Sequence, residues 1–473
     1  MTIIPILLAI ALPLADLASA ERVLGAYIFQ RHGDRTAKGL PPAKLTDLGY
    51  NQEYMTGNFF HQRYISASSQ NHIEGISSSV VNLAQISASA PQDTVIQISG
   101  QAFLQGLYPP VGSAANETLR NGSVIYSPLS GYQLIPMSAV NSGSGSEDNT
   151  WLQSTSSCAN ALVSSNDYYY STSYQQLLSN TSELYRSLAS DLNNTISPSS
   201  LSFKNAFTIW DLLNVASIHN ASSSLPSEQV MQELLVLANI HEFNLAYNSS
   251  EPIRAVAGMN LAGEVLTALN QTITSGGKSK LTIQFGSYAA FLSYFGLAGL
   301  TNDAEFTGVP VYASSMAWEL VTNASGTGIP SASEINVRFL FHNGTSIEGS
   351  TRLQEYPLFG QSAVEIPWTQ FVNSTNKFAI TSQQQWCTAC GNSTGICSSS
   401  SGTSTSNTPS DSSSGGMSLA VAGVIGAMVT LGVLAGLTAL IILVFGLRLV
   451  RKSTLASLGH QGSEASMTAP KAA

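Results

Sequence analysis

The stretch AYIFQRHGDRTAKG, Ala26–Gly39, runs an apolar segment directly into Arg31, His32, Asp34 and Arg35. Charged residues make up only 10% of the 473-residue chain, so a histidine set between arginines concentrates repulsion that a bound anion would offset. These residue types suit one chemistry. Two guanidiniums hold phosphoryl or carboxylate oxygens through paired N–H groups, and they disfavour protonation of the imidazole between them, which keeps it nucleophilic. Gly33 reads as a point where backbone approaches the ligand closely. The plainer alternative is a charged cluster that caps a strand and binds a carboxylate.

The elements that would position this cluster can be read on either side of it. VLGAYIFQ has the continuous apolar character of a buried strand, and KLTIQFG, Lys280–Gly286, reads as a second strand that ends before SYAAFLSYFGL. Apolar residues recur at three- and four-residue spacing in AFTIWDLLNVASIHN, LPSEQVMQELLVLANIHEFNLAY and VAGMNLAGEVLTALNQ, which predicts helices. Strands alternating with long helices indicate an α/β sheet, with the helix-rich middle forming a second lobe. Ligands of such sheets bind beyond the carboxyl ends of strands, where Arg31–Arg35 falls.

The two ends of the chain predict a membrane-tethered, outward-facing protein. Met1–Ala20 is apolar and ends in LASA, the small-x-small spacing of a cleaved signal peptide, so the mature chain is expected to begin near Glu21. Residues 21–390 form the expected ectodomain and the Ser/Thr-rich residues 391–416 a stalk. Met417–Leu447 carries no charge and is long enough for a single transmembrane helix. Arg448, Arg451 and Lys452 follow it, which keeps residues 448–473 in the cytoplasm and makes the chain a type I protein of the secretory pathway, expected at the plasma membrane. Ser414, Gly415 and Gly416 would suit a glycolipid anchor, but the basic tail through Ala473 argues for a true span.

Cys158, Cys387, Cys390 and Cys397 all lie on the outward side, where an even count predicts two disulfides with three pairings open. Asn116, Asn121, Asn180, Asn193, Asn220, Asn248, Asn270, Asn323, Asn343, Asn373 and Asn392 begin N-x-S/T sequons, as a lumenal chain would. The formal net charge of −9 is spread without basic blocks, which argues against a nucleic-acid partner. No HExxH, P-loop or GxGxxG context is present, so neither a metal nor a cofactor is expected.

Beyond single residues, RHGDRT resembles the RHGxRxP signature of the histidine acid phosphatases, the branch that includes phytases. KLTDLGYNQEYMTGNFFHQRY, Lys44–Tyr64, is similar to the family's LTxxGxxQxxxLGxxLRxRY helix, and ISGQAFLQGLYPP, Ile98–Pro110, to its SAQxFLxGLxPP segment. The resemblance covers Arg22 to about Cys397. It implies a phosphoglycerate mutase-like sheet flanked by helices, and a two-step hydrolysis of a phosphate monoester. His32 would attack phosphorus and form a phosphohistidine, with Arg31 and Arg35 binding the phosphoryl oxygens, and water would then release phosphate.

Two parts of the family's machinery are altered. Aligning backward from QAFLQGLYPP puts Ser89 or its neighbourhood, ISASAPQDTV, where the family carries a third phosphate-binding arginine, and Ser287 and Tyr288 fall on its His-Asp pair. Asp34 and Asp93 are the nearest other carboxylates and read as solvated loop residues, while His241, beside Glu242, reads as a satisfied helix histidine. Losing a general acid costs about 10²–10⁴-fold in rate, and losing a donor to the transferring phosphoryl on the order of 10²–10³. Two functions therefore stand open: an impaired membrane-anchored acid phosphatase, or a pseudophosphatase that binds phosphate esters or other small anions at the cell surface.

Overall fold

The computed structural model describes residues 21–140, 157–192, 195–222, 224–345 and 353–400. The expected signal peptide, most of the expected stalk from residue 401 on, the expected span at 417–447 and the expected tail lie outside the described residues. Among the described residues, no helix is long and apolar enough to cross a membrane.

β1 (Arg22–Arg31) is the middle strand of the main sheet and is buried along nearly its whole length. Burial on both faces explains its unbroken apolar run, which shows no polar alternation. The other strands are β2 (Ile86–Pro91), β5 (Met137–Val140), β6 (Leu281–Gly286), β7 (Ser315–Thr322), β8 (Asn336–His342), β9 (Gln354–Tyr356) and β10 (Glu365–Pro367), while β3 (Glu117–Thr118) and β4 (Val124–Ile125) pair apart as a small hairpin. The sheet order is β10-β8-β7-β1-β6-β2-β5, with β9 pairing β8. β1, β6, β2 and β5 run parallel, whereas β7, β8, β9 and β10 pair antiparallel.

Helices cover both faces. Asp47–Phe60 and Thr94–Leu107 pack Phe60, Ile96 and Phe103 against Ile28, Ile283 and Phe285. On the other side, Val256–Thr274 and Tyr288–Leu297 pack Leu261, Val265, Phe291 and Tyr294 against Tyr27, Phe29 and Trp318. The predicted helix-rich middle is present as Ala159–Asp167, Thr172–Asn180, Ser182–Ser187, Ala206–His219 and Glu228–Ala246, with its own core of Tyr174, Tyr185, Phe203, Ile209 and Leu234.

Two disulfides settle the pairing left open by sequence: Cys158–Cys390 and Cys387–Cys397. Cys397 is buried and Gly395–Ser400 forms a short helical turn, so ordered chain continues past Cys390 into the segment read as stalk. The second disulfide explains this, because it pulls the following residues back onto the helix Gln383–Cys390.

Candidate active site

β1 and β6 end side by side, with Arg31 in register with Gly286. Beyond that point the backbone of His32 is tied on both flanks: its N–H donates to Gly286 O at 3.3 Å, and its carbonyl accepts from Ala313 N at 3.1 Å. Arg31 N donates to Ser314 O at 2.9 Å, so the loop preceding β7 closes over the strand end. His32 Nδ1 lies 2.9 Å from Gly33 O. A carbonyl only accepts, so in the neutral ring the proton sits on Nδ1 and the lone pair on Nε2.

Gly33 has a further reason beside the one the sequence suggested. A Cβ there would lie 2.4 Å from Gly49 O, and one on Gly49 would lie 2.0 Å from Asp34 O. The glycines let the loop press on the first turn of the helix Asp47–Phe60, where Asp34 N donates to Gln52 Oε1 at 2.8 Å. To the expected approach to a ligand they add a constraint from helix-to-loop contact.

Tyr312 is the hub around which the cluster assembles. The Arg31 guanidinium lies 4.7 Å from its ring centre, that of Arg35 5.7 Å, and the His32 ring 5.7 Å. All three are buried: Arg31 is 3% exposed, His32 and Arg35 0%. Burial, as the main cause, keeps the Tyr312 phenol protonated far above its ordinary range, although Arg35 and Arg31 oppose the shift. The hydroxyl donates to Asp211 Oδ1 at 3.3 Å. Asp211 also accepts from Arg35 Nη1 with both oxygens, at 3.1 and 3.0 Å, and from the Lys38 N–H at 2.7 Å, while Nη1 also donates to Thr36 O at 3.1 Å. It arrives from the second lobe, on the helix Ala206–His219.

Ser287 and Tyr288 directly follow β6 and open the helix Tyr288–Leu297, beside the end of β1. The Tyr288 ring centre is 5.4 Å from the Arg31 guanidinium. Its hydroxyl donates to Glu242 Oε2 at 2.7 Å, and Glu242 Oε1 lies 2.8 Å from His241 Nδ1. His241 is therefore satisfied on one nitrogen only: Nε2 is buried without a hydrogen bond, among the rings of Tyr168, Tyr169, Tyr174 and Phe203.

Register places Ser89 lower in the sheet than the cluster. It pairs with Gln284, which pairs with Phe29, two residues before Arg31. β2 ends at Pro91, so Pro91, Gln92 and Asp93 reach the level of Arg31. Asp93 and Asp34 are not solvated loop residues. Asp93 is 9% exposed and caps the helix Thr94–Leu107 by accepting from Ile96 N, and Asp34 is fully buried, with Oδ1 taking the Thr46 hydroxyl and lying 2.6 Å from His219 Nε2.

Sequence reasoning missed Tyr312, Asp211 and Gln30. Gln30 Nε2 donates to Arg31 O, Ala313 O and Glu53 Oε2, and so stitches strand, loop and helix behind His32. Glu53 is wholly buried, and burial pushes its carboxyl well above the ordinary range even though Gln30 and Arg31 favour the charge. The folded state therefore holds the proton more tightly than the unfolded chain. Stability from this group is fully present below the unfolded value near pH 4.3 and falls as pH rises through the folded one. Glu53→Gln is expected to raise Tm at pH 7.5 by roughly 2 °C or more and to leave it nearly unchanged at pH 4, as read by thermal unfolding at both values.

A sequence model of the histidine phosphatase superfamily (branch 2) matches residues 39–341, beginning just after the Arg31–Arg35 cluster. Among solved structures, Klebsiella sp ASR1 phytase is similar at 13% identity and a TM-score of 0.51, covering 76% of this chain and 95% of that one. The phytase from Citrobacter braakii is similar at 12% identity and a TM-score of 0.51, covering 78% of this chain and 99% of its own. Hafnia alvei phytase, in its apo form, gives 13% identity and a TM-score of 0.50, with 78% and 98% covered. At such identities the likeness concerns the fold. No curated protein matches the sequence significantly. The family match spans all four helices that cover the sheet and the strands β2 to β7, together with nearly all of β8, and on that extent the chain belongs to the histidine phosphatase superfamily, branch 2.

Proposed function

We propose that the protein hydrolyses phosphate monoesters through a phosphohistidine on His32, slowly and with a strong preference for good leaving groups. The observation that carries this reading is the gathering of His32, Arg31 and Arg35 around Tyr312, with the lone pair of the neutral imidazole on Nε2. His32 Nε2 forms the N–P bond as the P–O bond to the leaving group breaks, and the guanidiniums take the charge on the non-bridging oxygens. Water then attacks phosphorus, the N–P bond breaks and phosphate leaves.

The slow step follows from residues 287 and 288. A leaving alkoxide needs a proton, whereas the Tyr288 hydroxyl donates to Glu242 and phenols, with a reference pKa near 10, are weak general acids. The tethering expected from residues 1–20 and 417–447 would set this chemistry outside the membrane, on a lumenal or extracellular substrate.

The test is hydrolysis of an activated aryl phosphate by the purified ectodomain across acidic pH, beside His32→Ala, with intact-mass detection of a phosphoenzyme. Turnover and a phosphorylated species are expected in the wild type, and neither in His32→Ala. A second reading, anion binding without turnover, is favoured by Asp211, which already occupies Arg35. Phosphate binding with no phosphoenzyme would select it.

A further inference from the structure

We propose that Asn248 is an N-glycosylation site whose first sugar is seated in a cavity of the second lobe rather than extended into solvent. The proposal rests on the expected passage of the chain through the secretory pathway, and it is independent of the chemistry at His32.

Asn248 opens the sequon Asn248-Ser249-Ser250, two residues beyond the helix Glu228–Ala246. Its Oδ1 accepts from Ser250 N at 3.0 Å, an Asx turn that fixes the amide plane. Asn121 and Asn220 make the same turn with the hydroxyl residue of their sequons, at 3.0 and 3.1 Å. By contrast, both polar atoms of the Asn392 side chain are engaged: Nδ2 donates to Ser157 O and Oδ1 accepts from Ala159 N. A sugar on Asn392 Nδ2 would have to be accommodated beside the contact to Ser157 O, next to Cys158.

What separates Asn248 from Asn121 and Asn220 is its surroundings. It lines a cavity of about 480 Å³ together with Tyr168, Phe243, Tyr247, Glu251 and Arg254. Concave sites of this size, with ring faces and a few fixed polar groups, suit an amide-bearing hexosamine. The apolar face of the sugar and its acetyl methyl would lie on the rings. Its hydroxyls would meet the half-exposed Glu251 carboxylate, which is positioned by the buried Arg254. Ser249 and Ser250 are exposed, so the next sugars have a way out.

The modification needs a lipid-pyrophosphate-linked oligosaccharide as donor. The bond from Asn248 Nδ2 to the sugar C1 forms as the C1–O bond to pyrophosphate breaks, and the amide proton leaves with the pyrophosphate.

The experiment is site-resolved mass spectrometry of the ectodomain from a eukaryotic secretory host, after peptide-N-glycosidase treatment under native and denaturing conditions. Glycans on Asn121 and Asn220 are expected to be released from the native protein, and that on Asn248 only after denaturation. Asn248→Gln and Ser250→Ala should each lower Tm by about 3 °C, while Asn121→Gln should not. Ser250→Ala removes the sugar but keeps the side chain and the N–H that it accepts. An unmodified Asn248, native release as fast as at Asn121, or a Tm loss in Asn248→Gln without one in Ser250→Ala overturns the proposal. Absence of glycan at all three positions would overturn the secretory expectation with it.

Discussion

Replacing Ser287 by His together with Tyr288 by Asp is expected to raise turnover of an unactivated alkyl phosphate by about 10²-fold or more, the usual worth of a positioned general acid. The expectation follows from placement. Residues 287 and 288 continue β6 past Gly286, the residue in register with Arg31, and the ring of Tyr288 already reaches the Arg31 guanidinium. The substitution forfeits the packing of the Tyr288 ring on Phe207, at 4.9 Å between centres, so Tm must be followed alongside rate. The gain should be much smaller for an activated aryl phosphate, whose leaving group needs no proton. A folded double variant that still phosphorylates His32 but shows no gain on the alkyl ester would refute the assignment of these two positions.

The strand end and its nucleophile were legible because the signal is local. An apolar run stopped by Arg31 and His32 can be read within one element, and so can the helices Ala206–His219, Glu228–Ala246 and Val256–Thr274, from their spacing. Partners that come from elsewhere could not be read. Tyr312 lies in a loop with no periodicity, and reaches His32 only because β7 pairs antiparallel with β1 on the side away from β6. Asp211 comes from another lobe. Its one trace in the sequence is a lone carboxylate in the apolar stretch AFTIWDLL, which signals a buried partner without naming it.

Ser89 and its neighbourhood show a different limit. A helix motif fixes the helix, but the connection between strand and helix sets how far the strand has climbed, and β2 runs two residues beyond Ser89 to Pro91. The contact of Gly33 with Gly49 was not legible because it lies across space. Buried carboxyls such as Glu53 and Asp34 look solvated in a sequence for the same reason: their shielding is supplied by strands and helices distant in sequence.

The meeting of the lobes at Arg35 leads to the second large effect, in Asp211→Asn. The pair Arg35–Asp211 is almost completely withdrawn from water, with side chains 0% and 1% exposed. Removing one charge of such a pair costs about 3–5 kcal/mol, because the other is left buried and uncompensated. The asparagine still offers an oxygen to Tyr312 and to the Lys38 N–H, so the lower end of that range is expected, a fall in Tm of roughly 6–10 °C. If the anion of the proposed reaction binds at Arg35, inorganic phosphate takes the place of the lost carboxylate. At a hundredfold excess over its Kd, phosphate would return about 2.7 kcal/mol, nearly the whole loss. In the wild type the same ligand must first displace Asp211, so its stabilisation is smaller. Thermal unfolding of both proteins over a phosphate titration separates the cases. A larger phosphate shift in Asp211→Asn places the anion at Arg35 and makes Asp211 the group that leaves when substrate enters. Equal shifts would put the anion elsewhere and leave Arg35 and Asp211 as a structural tie between sheet and second lobe.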